Sequence, residues 1–211
     1  MILQLLSDAG LGNTPATIIV TVLCVVIAYL LGSLNFGIIL SKLLFKEDVR
    51  NSGSGNAGST NMLRTYGKKA GIMTFGGDCL KTAVSIGIGY LLFNIFGMFI
   101  AGIACMVGHS YPVFFKFKGG KGVSVGCALA LMIDLRVFAC VMTVFFVLAF
   151  ATRKVSLASV CATTSILIFG PVFHVGLARM ILACVGVLLI DYRHRDNIKR
   201  LLNGTEKDFK A

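Results

Sequence analysis

The chain has 211 residues, of which 56% are hydrophobic and only 14% are charged, and its mean hydropathy is +0.87. This composition leaves too little polar surface for a soluble globular domain, so it predicts an integral membrane protein. The formal net charge of +11 could indicate nucleic-acid binding. However, the basic residues do not cluster with interleaved aromatic residues on a soluble module, and no nucleic-acid partner is expected.

Long apolar tracts run through most of the chain. No charged residue occurs from Ala9 to Ser41 or from Thr82 to Gly108, and each tract is longer than the roughly 20 residues of a membrane-spanning helix. We predict an all-α integral membrane protein that forms a single domain over residues 1–211. About seven transmembrane helices are expected, near residues 16–41, 72–93, 96–112, 121–133, 136–152, 155–172 and 174–191.

The charges outside these segments predict the orientation of the chain. Nearly all of the basic residues lie in the connections 42–71, 113–120, 153–154 and 192–211. By the positive-inside rule, this side and the C-terminus are cytoplasmic and the N-terminus is outside. The segment 121–133 is shorter than the roughly 17-residue minimum for a span, so five full spans plus short or re-entrant segments is the alternative.

The cysteine and histidine patterns do not predict a metal site. The seven cysteines are scattered about one per apolar segment without a CxxC pair, as expected of small buried hydrophobic residues. His109 and His174 are isolated, and no HExxH motif occurs. Neither a metal nor another cofactor is therefore expected.

The stretch from Gly53 to Lys69, GSGNAGSTNMLRTYGKK, is the longest interval made mostly of small and hydrogen-bonding residues. Its start matches GxGxxG, but a dinucleotide fingerprint needs a strand that enters a helix, whereas the flanks here are a charged loop and a span. Glycine-rich backbone can instead bring N–H groups close to an oxyanion, and an arginine can bind a phosphate bidentately. A flexible polar loop is the alternative. The candidate phosphate ligands are Ser54, Gly55, Asn56, Ser59, Thr60, Asn61 and Arg64.

A second glycine–lysine cluster, GHSYPVFFKFKGGKG, occupies residues 108–122. Lys121 lies among three glycines at the predicted start of a helix, where the helix dipole and the charge both favour an anion. A nucleotide P-loop is excluded because Gly122 follows Lys121 in place of Ser or Thr. Lys116 and Lys118 are more typical of topology or lipid-headgroup charges. We therefore predict Lys121 as a phosphate ligand.

Three further groups of polar residues could support a site. His194 and Asn197 are three residues apart, so on a helix they share a face and could act as a base and a substrate-orienting group. Asp78 and Lys81 have the same spacing at the start of the second span, where they are either functional or an internal ion pair. His109 is a possible supporting residue with them.

Four stretches together resemble the motifs of the bacterial acyl-phosphate:glycerol-3-phosphate acyltransferase family, the PlsY type. They are GSLNFG at 32–37, the stretch 53–81, GHSYPVFFKFKGGKGV at 108–123 and HRDN at 194–197, so the match covers nearly the whole chain. The resemblance implies a multi-pass enzyme of the bacterial cytoplasmic (inner) membrane whose active site faces the cytoplasm. Such an enzyme transfers an acyl group from acyl phosphate to the sn-1 hydroxyl of glycerol 3-phosphate in phospholipid biosynthesis. The products are lysophosphatidic acid and phosphate, and neither coenzyme A nor acyl carrier protein is required.

The resemblance also implies roles for particular residues. Phosphate binding would fall on Ser54, Thr60, Asn61, Arg64, Lys121 and Ser159. His194 and Asn197 would orient glycerol 3-phosphate and its hydroxyl. The sequence departs from the family pattern at Asn35, where proline often follows Ser-Leu, and at Ser59, which replaces the usual alanine.

Acyl phosphate is a mixed anhydride with a good leaving group, so direct attack by the hydroxyl without a covalent acyl-enzyme is expected. The sequence shows no obvious Ser/His/Asp or Cys/His arrangement for a covalent intermediate, which agrees with direct attack. The proton could pass to His194 or to a substrate phosphate, and the sequence leaves both open. The rival class is a small transporter or channel for an anionic phosphorylated solute, whose site would lie near the bilayer midplane at a repeat interface. A non-catalytic lipid-binding protein would not need His194 with Asn197.

Overall fold

The computed structural model describes residues 14–208, and this part of the chain forms helices and turns without a strand. Two short 3-10 turns, Val49–Asn51 and Val113–Phe115, precede the two loops that were predicted to bind phosphate. The helices are α1 (Thr14–Ser33), α2 (Phe36–Phe45), α3 (Ser59–Tyr66), α4 (Lys68–Ser110), α5 (Val123–Ile133), α6 (Leu135–Thr152), α7 (Val155–Val172), α8 (Leu177–Arg193) and α9 (Arg195–Leu202).

Helix α4 is a hairpin of two antiparallel arms. Its helical backbone is interrupted at Phe93 and Asn94, the latter with φ of 55°. Lys81 and His109 are 28 residues apart, yet their Nζ and Nδ1 atoms lie 3.0 Å from each other, whereas a straight helix would separate them by about 40 Å. The turn at Asn94 therefore lies where the sequence predicted a boundary between two helices.

The helix predicted near residues 16–41 is divided into α1 and α2, which are separated at Leu34 and Asn35, although the segment 17–45 is long and apolar enough for a span. The Asn35 side chain accepts a hydrogen bond of 3.2 Å from the Ile38 N–H and so caps the start of α2. The sequence prediction followed the unbroken apolar pattern and gave too little weight to this capping residue. The predicted connection 42–71 also contains the end of α2 and all of α3.

Four segments of the described range are long and apolar enough to cross a membrane: 17–45, 68–115, Leu135–Thr152 and Val155–Val172. Helix α5 is apolar but has only 11 residues, in agreement with the short segment predicted there. The prediction about the N-terminus concerns residues 1–13, which lie outside the described residues.

Close contacts between small residues bring α1 against the α4 hairpin. A Cβ atom on Gly32 would lie 2.2 Å from the Cys105 carbonyl oxygen, and one on Gly108 would lie 2.2 Å from that of Tyr29. Only glycine permits this approach, as is common where helices pack in membranes. The second half of the bundle, α5 to α8, encloses a separate apolar core formed by Ala130, Ile133, Val137, Val141, Ala162, Ile166, Leu182 and Ala183.

Candidate active site: an anion-binding cavity beside an apolar slot

A polar cavity of about 480 Å³ lies at the end of the bundle where α3, α5 and α7 begin. Its wall brings together the three polar clusters of the sequence, which are far apart along the chain. Gly55, Asp78 and Lys81 are not among the lining residues. The predicted site residues that do line it are Ser54, Asn56, Ser59, Thr60, Asn61, Arg64, His109, Lys121, Ser159, His194 and Asn197.

Three helix N-termini converge on the cavity, since Ser59, Val123 and Val155 are the first residues of their helices and all line it. First-turn N–H groups have no acceptor within their own helix, and the helix dipole places partial positive charge there. The capping residues Gly58, Gly122 and Lys154 contribute no side-chain hydrogen bond. These N–H groups are therefore directed at a cavity suited to an anion.

Lys121 supplies positive charge in the same place. Its ammonium donates a hydrogen bond to Asn197 Oδ1, and burial lowers the pKa of Lys121 from 10.5 to about 8. The side chain therefore stays mainly charged at neutral pH, and a bound anion would stabilise its charged form further. Its position at the start of α5 is the one that the sequence predicted.

His194 provides a neutral acceptor in the same cavity. Burial, followed by the nearby charge of Lys121, lowers the pKa of His194 to about 4, so the imidazole is uncharged at neutral pH. Its Nδ1 lies 2.8 Å from the Ile190 carbonyl oxygen. Because a carbonyl can only accept, Nδ1 carries the proton and Nε2 has a free lone pair.

Asn197 and Glu206 fix the geometry around Lys121. The ammonium can only donate and the carboxylate can only accept, so Asn197 turns its Oδ1 to Lys121 and its Nδ2 to Glu206 Oε1, at 2.7 Å. Glu206 also accepts hydrogen bonds from Ser156 Oγ at 2.6 Å and from Arg200 Nε at 2.7 Å. Sequence reasoning missed Glu206 and Ser156. The available signal for Glu206 was an acidic residue within the strongly basic segment 193–207.

Asn61 makes three hydrogen bonds within the loop. Its Nδ2 donates to the carbonyl oxygens of Val49 and Ser52, each at 3.0 Å, and its Oδ1 accepts from the Ser54 N–H at 2.8 Å. Both amide protons are thereby used within the loop, and the side chain holds the loop in shape. Gly53 permits this arrangement, because a Cβ there would lie 2.3 Å from Asn61 Oδ1.

Arg50 joins the two loops that were predicted to bind phosphate. The sequence had indicated it only as one of the basic residues of the connection 42–71. Its guanidinium donates to the carbonyl oxygens of Phe115 and Lys118 at 3.0 and 2.9 Å and pairs with Asp48 at 2.7 Å. The turn before the 53–58 loop is thus tied to the turn before Gly119 and Lys121. A long-range contact of this kind has no local sequence signal.

The possible supporting residues form a buried cluster behind the cavity. Asp78 and Lys81 form an ion pair of 2.8 Å, which agrees with the internal-pair alternative, and His109 connects this pair to the cavity wall. The Lys81 ammonium also binds the Gly32 and Leu34 carbonyl oxygens, each at 2.9 Å. It therefore binds carbonyl oxygens at the end of α1 that have no hydrogen-bond donor within the helix.

An apolar slot of about 90 Å³ adjoins the polar cavity. Both share a boundary formed by Phe75, Val123, Met142, Phe145 and Ser159. An anion site that opens into an apolar slot within a bundle of apolar helices defines a class of protein: a membrane protein that handles an amphiphilic anion, such as a lipid phosphate.

Comparison with known proteins identifies the family. Residues 22–204 match the family model for glycerol-3-phosphate acyltransferase. Proteins of that name from Syntrophotalea carbinolica and Bacillus subtilis are 40% identical over 187 residues (87% of this chain, 95% of the relative) and 36% identical over 188 residues (89% and 97%). The chain belongs to the glycerol-3-phosphate acyltransferase family of the PlsY type, and the resemblance noted from its motifs is confirmed.

Solved structures agree with this assignment. A crystal structure of PlsY (YgiH), an integral membrane glycerol 3-phosphate acyltransferase in its glycerol 3-phosphate form, matches with a TM-score of 0.84 and 41% identity, over 90% of this chain and 96% of that one. Its lysophosphatidic acid form matches with a TM-score of 0.82 and 39% identity, over 90% and 95%. This chain is therefore a membrane protein, as its composition predicted, and the described residues 14–208 form helices without a strand.

Proposed function

We propose that this protein transfers an acyl group from acyl phosphate to the sn-1 hydroxyl of glycerol 3-phosphate, giving lysophosphatidic acid and phosphate for phospholipid synthesis. The observation that carries the proposal is that one cavity is lined by three helix N-termini, by Lys121 and by the neutral His194. The glycerol 3-phosphate and lysophosphatidic acid forms described for PlsY support this substrate and product.

Phosphate recognition is assigned to the loop 53–58, the first turn of α3 and Lys121. Ser54, Asn56 and Thr60 offer side-chain donors at the cavity wall, and Arg64 follows one turn after Thr60 on α3. Gly55 contributes to the loop backbone with φ of 73°. Asn61 acts indirectly by holding the loop, and Ser159 lies at the boundary with the apolar slot.

In the reaction, the glycerol 3-phosphate hydroxyl attacks the acyl carbonyl carbon and forms the new ester C–O bond. The bond between that carbon and the bridging oxygen then breaks, and phosphate leaves with the electron pair. Lys121, Arg64 and the helix N-termini stabilise the charge that develops on the departing phosphate. Since the anhydride is already activated, no acyl-enzyme is needed, and the cavity acts by proximity and charge.

His194 orients the hydroxyl by accepting its hydrogen bond at Nε2. With a pKa of about 4, the imidazole is a weaker base than a phosphate dianion, whose conjugate acid has a pKa of about 6. We therefore assign the final proton to the departing phosphate. Asn197 holds the Lys121 ammonium toward the reacting groups.

The site is proposed to face the cytoplasm of a bacterial cell, with the C-terminus inside and the N-terminus outside. The basic residues of the site-end connections support this orientation by the positive-inside rule. Seven crossings would comprise α1 with α2, the two arms of α4, the short α5, and α6 to α8. A transporter site would be expected near the bilayer midplane, so a cavity at the end of the bundle favours the enzyme.

The test uses purified full-length protein in detergent with glycerol 3-phosphate and either acyl phosphate or acyl coenzyme A of the same chain length. We expect lysophosphatidic acid from acyl phosphate and none from acyl coenzyme A, and acyl-loaded acyl carrier protein should be equally inactive as a donor. Failure to form lysophosphatidic acid from any donor would exclude the acyltransferase. Equal rates with acyl coenzyme A would exclude dependence on acyl phosphate.

A further inference from the structure

A buried charged cluster lies directly behind the polar cavity, and the mechanism above does not use it. Asp78, Lys81 and His109 are 0%, 4% and 2% exposed. They come from the two arms of the α4 hairpin, and only His109 reaches the cavity wall. Charged groups buried at this depth need a full set of partners, so the hydrogen bonds of the cluster define its protonation.

The Lys81 ammonium has three protons, and three hydrogen-bond acceptors surround it in addition to its counter-ion Asp78. They are the carbonyl oxygens of Gly32 and Leu34, each at 2.9 Å, and His109 Nδ1 at 3.0 Å. Asp78 Oδ1, the counter-ion, lies 2.8 Å from the ammonium and 3.5 Å from His109 Nδ1. The ammonium can only donate, and it is closer to His109 Nδ1 than the Asp78 carboxylate is, at 3.0 Å against 3.5 Å. We therefore assign Nδ1 as an acceptor that carries no proton.

A neutral His109 consequently carries its proton on Nε2. This atom faces the Gly120 backbone so closely that a Cβ on Gly120 would lie 2.1 Å from it. The Gly120 N–H in turn donates to the His109 carbonyl oxygen at 3.1 Å. Within residues 14–208, Nε2 has no hydrogen-bond partner, and it lies beside the glycine–lysine loop that carries Lys121.

We propose that His109 is a further binding residue of the site: its Nε2–H donates to an anionic phosphoryl oxygen held beside Gly120 and Lys121. Lys81 and Asp78 are positioning residues. Lys81 fixes the tautomer by donating to Nδ1, and Asp78 keeps the ammonium charged. This inference rests on the proposed function for the identity of the substrates, but the tautomer itself does not depend on it.

The tautomer is measured by NMR of full-length protein labelled with ¹⁵N in its histidine rings. The chain has three histidines, and His194 serves as an internal reference because its proton is on Nδ1. We expect His109 to be neutral and protonated on Nε2, with a downfield shift of that proton when glycerol 3-phosphate or inorganic phosphate is added. Protonation on Nδ1, or no change at saturating amounts of either phosphate, would overturn the proposal.

Two substitutions separate the two ring nitrogens. His109→Asn keeps an acceptor for Lys81 but has no donor at the Nε2 position, whereas His109→Gln places an N–H group there. Losing a hydrogen bond to a charged group predicts a KM raised roughly ten-fold or more in the Asn variant, with recovery to within a few-fold in the Gln variant. An increase confined to glycerol 3-phosphate or to acyl phosphate identifies whose phosphate is bound. Unchanged KM values for both substrates in the Asn variant would refute the contact.

Lys81→Met tests the positioning role independently of activity. Once its ammonium is removed, His109 is free to populate the Nδ1–H tautomer, which the same NMR experiment detects in protein shown to be folded by its thermal transition. Exclusive retention of Nε2–H would disprove the role of Lys81, and the wild-type spectrum remains decisive for His109 if this variant does not fold. A wild-type protein that fails to use acyl phosphate yet shows the Nε2–H shift would refute only the proposed function.

Discussion

The polar cavity and the apolar slot share one short helix, whose first turn lines the cavity and whose later turns line the slot. Helix α5 begins at Val123 next to Lys121, and its first turn lines the polar cavity. From Gly126 to Ile133 the same helix lines the apolar slot. Its 11 residues are few for a span, and its N-terminus lies at the wall of the polar cavity, where an anion can reach it.

Because the polar cavity and the apolar slot are lined by different kinds of residue, substitutions in each should affect different properties of the enzyme. The polar wall, formed by the side chains and helix N-termini that line the polar cavity, is expected to determine turnover. It stabilises the charge that develops during the reaction. The slot is expected to select among acyl chains, because it discriminates only by apolar contact and volume. Substitutions on either side test this division.

Replacing Lys121 should have the largest effect. Lys121→Met removes a buried charge from the phosphate site, and kcat should fall on the order of 10²- to 10³-fold, as when one charge-stabilising donor is lost from an active site. The steady-state rate of lysophosphatidic acid formation measures this loss. Lys118→Met, an exposed change in the same loop, is the matched control and should stay near the wild-type rate. A Lys121→Met enzyme within three-fold of wild type would contradict the phosphate role.

The pH dependence sharpens the same point. The Lys121 pKa is lowered to about 8, so its charged form is lost as pH rises past that value, and kcat/KM for glycerol 3-phosphate should decline above about pH 8. Lys121→Arg keeps its charge throughout this range. Its profile should therefore stay flat to higher pH, although at a lower rate. A decline at the same pH in both proteins would assign the titration to another group.

His194→Ala should reduce kcat by a smaller factor, on the order of 10²-fold, which is the lower range for a positioned acid–base or orienting group. His194→Gln restores an acceptor near the position of Nε2 and should recover part of the loss. Rates of both variants over acidic to neutral pH are the measurement. Complete inactivity of His194→Gln would favour proton transfer to the imidazole over transfer to the departing phosphate.

Glu206→Gln should cost roughly ten-fold in kcat, since a lost hydrogen bond to a charged group is worth about 1.5–3 kcal/mol. Although burial alone would raise the pKa of Glu206, hydrogen bonds from Ser156, Asn197 and Arg200 lower it, so the group is a carboxylate that orients Asn197. The exposed Asp196→Asn removes the same charge from α9 and should be near neutral. Equal effects of the two substitutions would show that Glu206 acts only through its negative charge and not through its hydrogen bond to Asn197.

The smallest effect is expected in the slot. Ala162 is buried and lines it, so Ala162→Val narrows the slot and should shift the preference toward shorter acyl chains by a few-fold to ten-fold, with kcat for the best donor little changed. Competition between acyl phosphates of two chain lengths measures the shift. Ile168→Val, at a 64% exposed position of the same helix, should leave the preference unaltered.

The sequence could predict much of this arrangement because its strongest signals are local. Apolar tracts, the turn at Asn94 and the small polar residues before Arg64 are each readable within a short window. The charge bias then predicts that Lys121 and His194 share one end of the bundle with them, and the structure brings these residues to one cavity.

The remaining features depend on contacts between distant segments. At the break, Asn35 caps α2, and the Gly32 and Leu34 carbonyl oxygens before it are bound by Lys81, 49 and 47 residues away. The Asn61 amide was predicted only as a donor to phosphate, and the hydrogen bonds by which it closes the loop were not foreseen. Glu206 acts only because α9 returns the chain to Ser156. No periodicity or spacing encodes such pairings.

The central claim is that the polar wall holds both substrates together and that the acyl group passes directly between them. Release of inorganic phosphate from acyl phosphate, measured on the millisecond to second scale with and without glycerol 3-phosphate, tests it most directly. We predict phosphate release only when glycerol 3-phosphate is present, with one phosphate per lysophosphatidic acid. A burst of phosphate equal to the enzyme concentration in the absence of glycerol 3-phosphate, together with acylated protein, would contradict it.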